Sequence, residues 1–299
     1  MGVVIAGAGS VGLLLGSFLS EAGIDVTMFV RRKEQARLIA QKGIARVNED
    51  GTKSVIQANA TTNLAKLPAA QLWIIAVKFS DLRGLLAQLK EANVKEPMLF
   101  IQNGIGHFAL ANQTDLPHIA FATVEHGALR ADDRTVSHNG VGMLTIGEGW
   151  GDATLFNLIE GAHSESFPVK RHADGEHVLM RKVMINCMIN PLTAILQVRN
   201  GELLTNEYCR GLFAALYEEL MEAFPEMRSF LPYEAVLDVC ENTAQNRSSM
   251  LMDRLSGRQM EIETIVTAVI DKAHGVNKKL QLLSTFEKML YALDRKEKE

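Results

Sequence analysis

Two groups of residues in this sequence have the types and spacing that chemistry needs. The first is Lys182, Asn186 and Asn190, set four apart. On a helix that spacing stacks them along one face. An ammonium so placed can stabilise charge growing on a carbonyl oxygen and hand it a proton. Asparagine amides can orient a carboxylate or a hydroxyl beside it. Their neighbours, Met180, Val183, Met184, Ile185, Met188 and Ile189, are apolar. A cleft lined by the polar stripe fits this pattern. A packing stripe with satisfied asparagines and a snorkelling lysine fits it equally well. Further on stand Ser248-Ser249 and two carboxylates, Glu261 and Glu263. Residues two apart cannot share a helix face, and periodicity does not say which of the two turns inward.

The second group is Gly7-Ala8-Gly9-Ser10-Val11-Gly12, between the apolar run Val3-Val4-Ile5-Ala6 and Leu13-Leu14-Leu15. Strand, glycine turn and helix in that order form a dinucleotide-binding fingerprint. Gly7 permits the tight turn, Gly9 lets a pyrophosphate approach the backbone, and Gly12 lets helix and strand pack closely. The helix N-terminus offers unpaired N–H groups to phosphate. The next strand, Asp25 to Val30, ends in Arg31-Arg32 where an NAD-selective unit places an acid. Guanidinium matches phosphate oxygens with paired donors, so NADPH is the expected cofactor. Arg31 and Arg32 are also compatible with the start of a solvated helix.

These groups need elements to hold them. Leu72–Val77, Met98–Ile101 and Ile119–Val124 are apolar runs of the kind found in buried parallel strands. A helix is expected over 80–92. Lys78, Asn103 and His126 follow the three runs, at the rim where ligands of open α/β sheets bind. Residues 34–41 read as a helix, and 44–59 as two strands around Asp50-Gly51. Residues 135–146, broken at Asn139-Gly140, read as an antiparallel pair. From about Asp174 only helices are expected: 176–197 with Pro191 kinking it, 207–224, 232–245, 260–274 and 279–293. The fold class is α/β: a Rossmann-type, mainly parallel sheet with helices over residues 1–170, then an all-α domain over 171–299.

A length of 299 residues favours two domains. A net charge of −4 argues against a nucleic-acid partner that needs a basic surface. No uninterrupted apolar run is long enough to span a bilayer. Cys187, Cys209 and Cys240 show neither metal-ligand spacing nor a disulfide framework, which makes the cytoplasm the default compartment and a metal unexpected. The oligomeric state is left open, a homodimer included.

Taken together, the motifs resemble those of the ketopantoate reductases (2-dehydropantoate 2-reductases). They are the glycine loop, Val77-Lys78, Gln102-Asn103-Gly104-Ile105-Gly106, Lys182-x3-Asn186-x3-Asn190-Pro191-Leu192-Thr193-Ala194, Asn200-Gly201-Glu202-Leu203, and Ser248-Ser249-Met250-Leu251 ahead of Glu261-Ile262. The glycine loop is shared with many dehydrogenases; the lysine–asparagine and serine blocks are far more specific. The resemblance implies NADPH-dependent reduction of ketopantoate to pantoate, a small 2-keto acid substrate, and a role in pantothenate and coenzyme A synthesis. It implies Arg31 and Lys78 at the adenosine 2′-phosphate, with Arg32 leaving open which arginine meets it. Asn103 would stand near the nicotinamide ribose and the substrate. Lys182 would be the catalytic acid, and Glu261 the carboxylate at the substrate hydroxyl. Asn186, Asn190 and Ser249 would position substrate, and Asn200 would line the same cleft, which the family places between the domains. A lysine of ordinary pKa is cationic at neutral pH, so ketone reduction is its natural direction. The rival readings are a reductase of another 2-keto acid on the same plan and a non-catalytic NADPH sensor.

Overall fold

The computed structural model describes residues 2–294. They form two compact units. The first holds the chain up to Gln102 together with His107–Leu179; the second holds Asn103–Gly106 and the chain from Met180 onward.

In the first unit β1 (Gly2–Ala6) runs through the glycine loop into α1 (Ser10–Glu21), followed by β2 (Asp25–Phe29) and α2 (Lys33–Lys42). Two strands, β3 (Ile44–Val47) and β4 (Lys53–Ile56), precede the short β5 (Asn59–Thr61). Then come β6 (Leu72–Ile75), α3 (Phe79–Glu91), β7 (Met98–Phe100), α4 (Gly106–Ala111) and β8 (Ile119–Val124). The unit closes with β9 (Gly127–Arg130), β10 (Thr135–Gly140), β11 (Leu144–Trp150), α5 (Asn157–Glu160) and β12 (Val169–His172). Among the described residues, the main sheet has the order β12-β11-β8-β7-β6-β1-β2-β5. It is parallel from β8 to β5, and β11 runs antiparallel to β8. Its middle strands are apolar without alternation because both faces are covered: Val3 to Ala6, Leu72 to Ile75 and Met98 to Phe100 are all buried. Leu13, Leu14, Leu15, Phe18 and Leu19 of α1 share this core with β1, β2, β6 and β7.

The expected antiparallel pair over 135–146 does not form. β10 joins a second small sheet, β4-β3-β10-β9, while β11 joins the main one. The chain crosses between them at Gly142, where an added Cβ would lie 2.3 Å from Glu125 backbone. That close approach diverts the chain and prevents a hairpin. Residues 171–179, expected in the helical domain, complete β12 and begin the next helix within the first unit.

That helix, α6 (Gly175–Leu196), continues into the second unit and runs through Pro191. It is followed by α7 (Glu202–Thr205), α8 (Glu207–Ala223), α9 (Tyr233–Asn242) and α10 (Ser249–Leu255). A π-helical turn, Glu263–Thr267, leads into α11 (Ala268–Gly275), and α12 (Gln281–Asp294) ends the described chain. Asn206 caps α8 by accepting from the Tyr208 and Cys209 amides. Val183, Met184, Cys187, Met188 and Leu192 of α6 pack with Phe213, Leu216 and Leu220 of α8 and with Val266 and Val269. By length and composition α6 could cross a bilayer, but 72% of its apolar window is buried, as befits a core helix.

Candidate active site

The three glycines of the loop play different parts in its geometry. Gly7 has φ +108°, and its Cβ would stand 2.8 Å from the Ala76 carbonyl oxygen. Gly12 lies so close to Gly7 that a Cβ would sit 2.0 Å from the Gly7 oxygen. The protein's own packing therefore requires both glycines. Gly9 is different. Its φ of −77° and ψ of −169° suit any residue, and a Cβ there would meet nothing within 4 Å. Nothing among the described residues requires a glycine at that position, which leaves room for a ligand to approach the backbone closely. Gly9 is also the N-cap of α1, which has no side-chain cap bond and no acid in its first turn. The helix thus presents uncapped N–H groups and its positive end. This geometry fits a nucleotide pyrophosphate. Ala8 is buried, and Ser10 and Val11 are half-buried.

The two arginines after β2 differ. Arg32 stands at the N-cap position of α2 without a side-chain cap bond and is bound to Asp133. Arg31 is 84% exposed and, among the described residues, makes only an exposed 3.3 Å contact with Asp81. An exposed pair of this kind contributes little, so Arg31 can turn to another anion at small cost. Lys78, the N-cap of α3, is exposed beyond the end of β6.

His126 is not a rim residue. It is buried, its ring stacks on Phe167 and lies near Phe18, and its Nδ1 is 3.0 Å from His138 Nε2. The Gly142 amide also donates to Nδ1, so the His138 ring must supply the proton between the two histidines. Burial, with His138 adding to it, pushes the His126 pKa down to about 4. It is a neutral core group.

The second unit collects most of the other sites. Asn103–Gly106 belongs to it because Gly104 lies on the π-helical turn. The Ile105 amide donates to the Thr264 carbonyl at 3.1 Å. At Gly104, φ is +78° and a Cβ would be 1.9 Å from the Thr264 oxygen, so only glycine fits. The wide turn also leaves the Ile265 carbonyl to accept from Cys187 Sγ at 3.1 Å. This docking brings Asn103 Nδ2 to 3.1 Å from Glu261 Oε2. Glu261 is half-buried and Glu263 exposed, which decides between the two carboxylates. The bond also orients Asn103: its NH2 faces the carboxylate, leaving its oxygen as an acceptor.

Lys182 and Asn186 are half-buried on α6, and Asn190 is buried one turn on. The Asn190 Nδ2 reaches Ser249 Oγ at 3.5 Å. A buried pair that the spacing did not reveal holds this contact in place. Thr193 Oγ1 lies 2.7 Å from Ser248 Oγ, which caps α10 by accepting from the Leu251 amide. Ser248 thereby fixes the exposed Ser249 beside α6. The cap pattern of a serine before an apolar run was the available signal. Asn200 is buried and works on a neighbouring loop: its Nδ2 donates to Thr243 Oγ1 and its amide to the Asn246 carbonyl. The structure thus joins Asn103 with Glu261 and Asn190 with Ser249, while Asn200 is tied to the loop that precedes Ser248.

Two family models match the chain. One is described as ketopantoate reductase PanE/ApbA and covers residues 3–151; the other, its C-terminal part, covers 174–294. The chain belongs to the ketopantoate reductase family. A 2-dehydropantoate 2-reductase of Listeria innocua is 36% identical over 98% of this chain and 96% of its own length. A solved structure of a probable 2-dehydropantoate 2-reductase from Bacillus subtilis superposes with a TM-score of 0.89 at 32% identity, covering 98% of this chain and all of that one. A D-mandelate dehydrogenase solved with NADH and anilino(oxo)acetate shares the fold, with a TM-score of 0.86 at 19% identity over the full length of both chains. Family and site geometry together make the chain an NAD(P)-dependent oxidoreductase.

Proposed function

We propose that this protein reduces 2-dehydropantoate to pantoate with NADPH, in the route to pantothenate and coenzyme A. The observation that carries the reading is the Asn103–Glu261 pair, 3.1 Å apart, in the same unit as the Lys182, Asn186 and Asn190 stripe. A non-catalytic sensor would need the glycine loop but not these groups. An exposed, weakly held Arg31 beside an Arg32 already bound to Asp133 supports Arg31, with Lys78, as the reader of the 2′-phosphate. Bound NADPH would supply the hydride.

The chain's own groups do the rest. Lys182 stabilises the negative charge that grows on the carbonyl oxygen and delivers the proton to it. Asn186, Asn190 and Ser249 hold the 2-keto acid by its carboxylate and carbonyl, as amide and hydroxyl donors can. Glu261, steadied by Asn103, accepts from the substrate hydroxyl, a group that pantoate precursors carry and simpler 2-keto acids lack. Asn200 holds the Thr243–Asn246 loop that leads to Ser248 and Ser249. The net charge of −4 supports a small-molecule substrate over a nucleic acid. Three buried free cysteines support a reducing compartment such as the cytoplasm.

Complementation tests this reading. A bacterial strain that needs pantothenate because it lacks this reductase should grow without it when it expresses the wild-type chain, and should not when it expresses Lys182→Ala at equal abundance. Failure of the wild-type chain to restore growth would overturn the assignment. A second reading is favoured by the shared fold with a mandelate dehydrogenase: reduction of a different 2-keto acid. It predicts no complementation but rapid turnover of that acid.

A further inference from the structure

Gln102 is a residue that the proposed chemistry does not use. It follows β7, is 8% exposed, and its side-chain amide straddles the end of β6. Its Nε2 donates to the Ile75 carbonyl at 2.8 Å and to the Val77 carbonyl at 3.1 Å. Both partners are acceptors only, so the NH2 end of the amide must face them. The residue between them, Ala76, presses on the glycine loop: its carbonyl oxygen lies 2.8 Å from where a Gly7 Cβ would be. The other end of the amide, Oε1, is buried and has no hydrogen-bond partner among the described residues. A buried acceptor without a donor costs free energy, and such exceptions call for an explanation.

The sheet order indicates what the donor is. The adenosine half of a dinucleotide goes to the β2 side, where Arg31 stands, and its pyrophosphate to the loop after β1. The nicotinamide half then extends to the other side of β1, over β6 and β7. Strands lie about 4.8 Å apart, which puts the end of β7 about 10 Å from that of β1. A carboxamide NH2 is a donor only, the complement of an acceptor with no donor of its own. We propose that Gln102 is a cofactor-binding residue: its Oε1 accepts from the nicotinamide carboxamide, while its Nε2 locks the β6 turn against the glycine loop. The amide would thereby set the rotation of the carboxamide, and with it the seating of the ring. This inference rests on the NADPH-binding reading given above.

Calorimetric titration tests it with three ligands: NADPH, adenosine 2′,5′-bisphosphate, and the reduced 3-acetylpyridine analogue of NADP, which has a methyl in place of the NH2. Gln102→Met is expected to weaken NADPH by about tenfold, the loss of one hydrogen bond. It should leave the bisphosphate within about twofold, since that ligand lacks the nicotinamide half. The wild type should bind the acetylpyridine analogue about tenfold less tightly than NADPH, and Gln102→Met should bind the two alike. Equal losses of NADPH and bisphosphate would reduce Gln102 to a brace for the turn and overturn the proposal. Preference for NADPH over the analogue that persists in the variant would overturn it as well. If the variant fails to fold, the wild type still decides: equal affinity for NADPH and the analogue sinks the proposal. A wild type that binds no NADPH would sink the cofactor reading itself, a different result from a wild type and variant that bind it equally.

Discussion

At the scale of single residues, partners already in the protein separate side chains that the sequence leaves equivalent. Arg31 and Arg32 are adjacent and alike, yet Arg32 is bound to Asp133 while Arg31 is almost wholly exposed. Arg31→Ala is therefore expected to weaken NADPH by about 1.5–3 kcal/mol, the value of a charged hydrogen bond, and to leave NADH nearly unchanged. Direct binding titrations with both nucleotides check this, and equal losses would remove Arg31 from the 2′-phosphate. Glu261 and Glu263 separate in the same way, since only the first is half-buried and bonded to Asn103. Lys182→Ala is expected to lower kcat on 2-dehydropantoate by roughly 10²–10⁴-fold, the usual range for a general acid. An unchanged far-ultraviolet circular dichroism spectrum and NADPH affinity would show that chemistry, not folding, was lost. Near wild-type turnover would take the lysine out of the mechanism.

At the scale of elements, the three glycines of the loop make separable predictions. Gly9→Ala meets open space and an ordinary backbone conformation, so stability should stay within about 0.5 kcal/mol of wild type. Its NADPH affinity should nonetheless fall by roughly tenfold or more, because the added methyl stands where the pyrophosphate approaches. Gly12→Ala should instead cost about 1–3 kcal/mol of stability or more, since its methyl would overlap the Gly7 carbonyl. Thermal melts paired with NADPH titrations check both, and a destabilised Gly9→Ala would show that the loop glycine serves folding. The elements themselves were largely legible. β1, β6 and β7 are unbroken apolar runs because they are buried on both faces, and α2, α3, α8 and α12 lie within two residues of their expected ends. What escaped depends on contacts between distant segments. Nothing local in Thr135–Ile146 says that its two strands belong to different sheets; the Gly142 crossing against Glu125 decides that. His126 has the local setting of a rim residue, but Phe18 and Phe167, far away in sequence, enclose it. In the sequence Gly104 stands out only as part of a motif; its need for positive φ against Thr264 becomes visible once the π-helical turn is in place.

At the scale of the whole molecule, the His126–His138 pair ties stability to pH. The His126 pKa falls from 6.5 in the unfolded chain to about 4 in the folded one, and that of His138 is also lowered, chiefly by burial. Between those values the unfolded chain binds a proton that the native state refuses. Stability is therefore fully present above about pH 6.5 and is lost as the pH falls toward 4, by on the order of 3 kcal/mol for His126. The lowered carboxylates Asp132 and Asp174 lose their contribution at still lower pH, since their ordinary value is 3.8. Urea denaturation across this range should show the decline, and His126→Asn should flatten it. A wild type equally stable at both ends would contradict the buried neutral pair.

The most direct measurement is kcat/KM of the purified enzyme for 2-dehydropantoate, followed by oxidation of the reduced nicotinamide. NADPH and NADH are compared as cofactors, and an aryl 2-keto acid that lacks the hydroxyl as substrate. The expected order is NADPH with 2-dehydropantoate first, with NADH lower by the loss of the Arg31 contact and the aryl acid lower by the loss of the Glu261 contact. Equal or faster reduction of the aryl acid, or indifference to the 2′-phosphate, would contradict it.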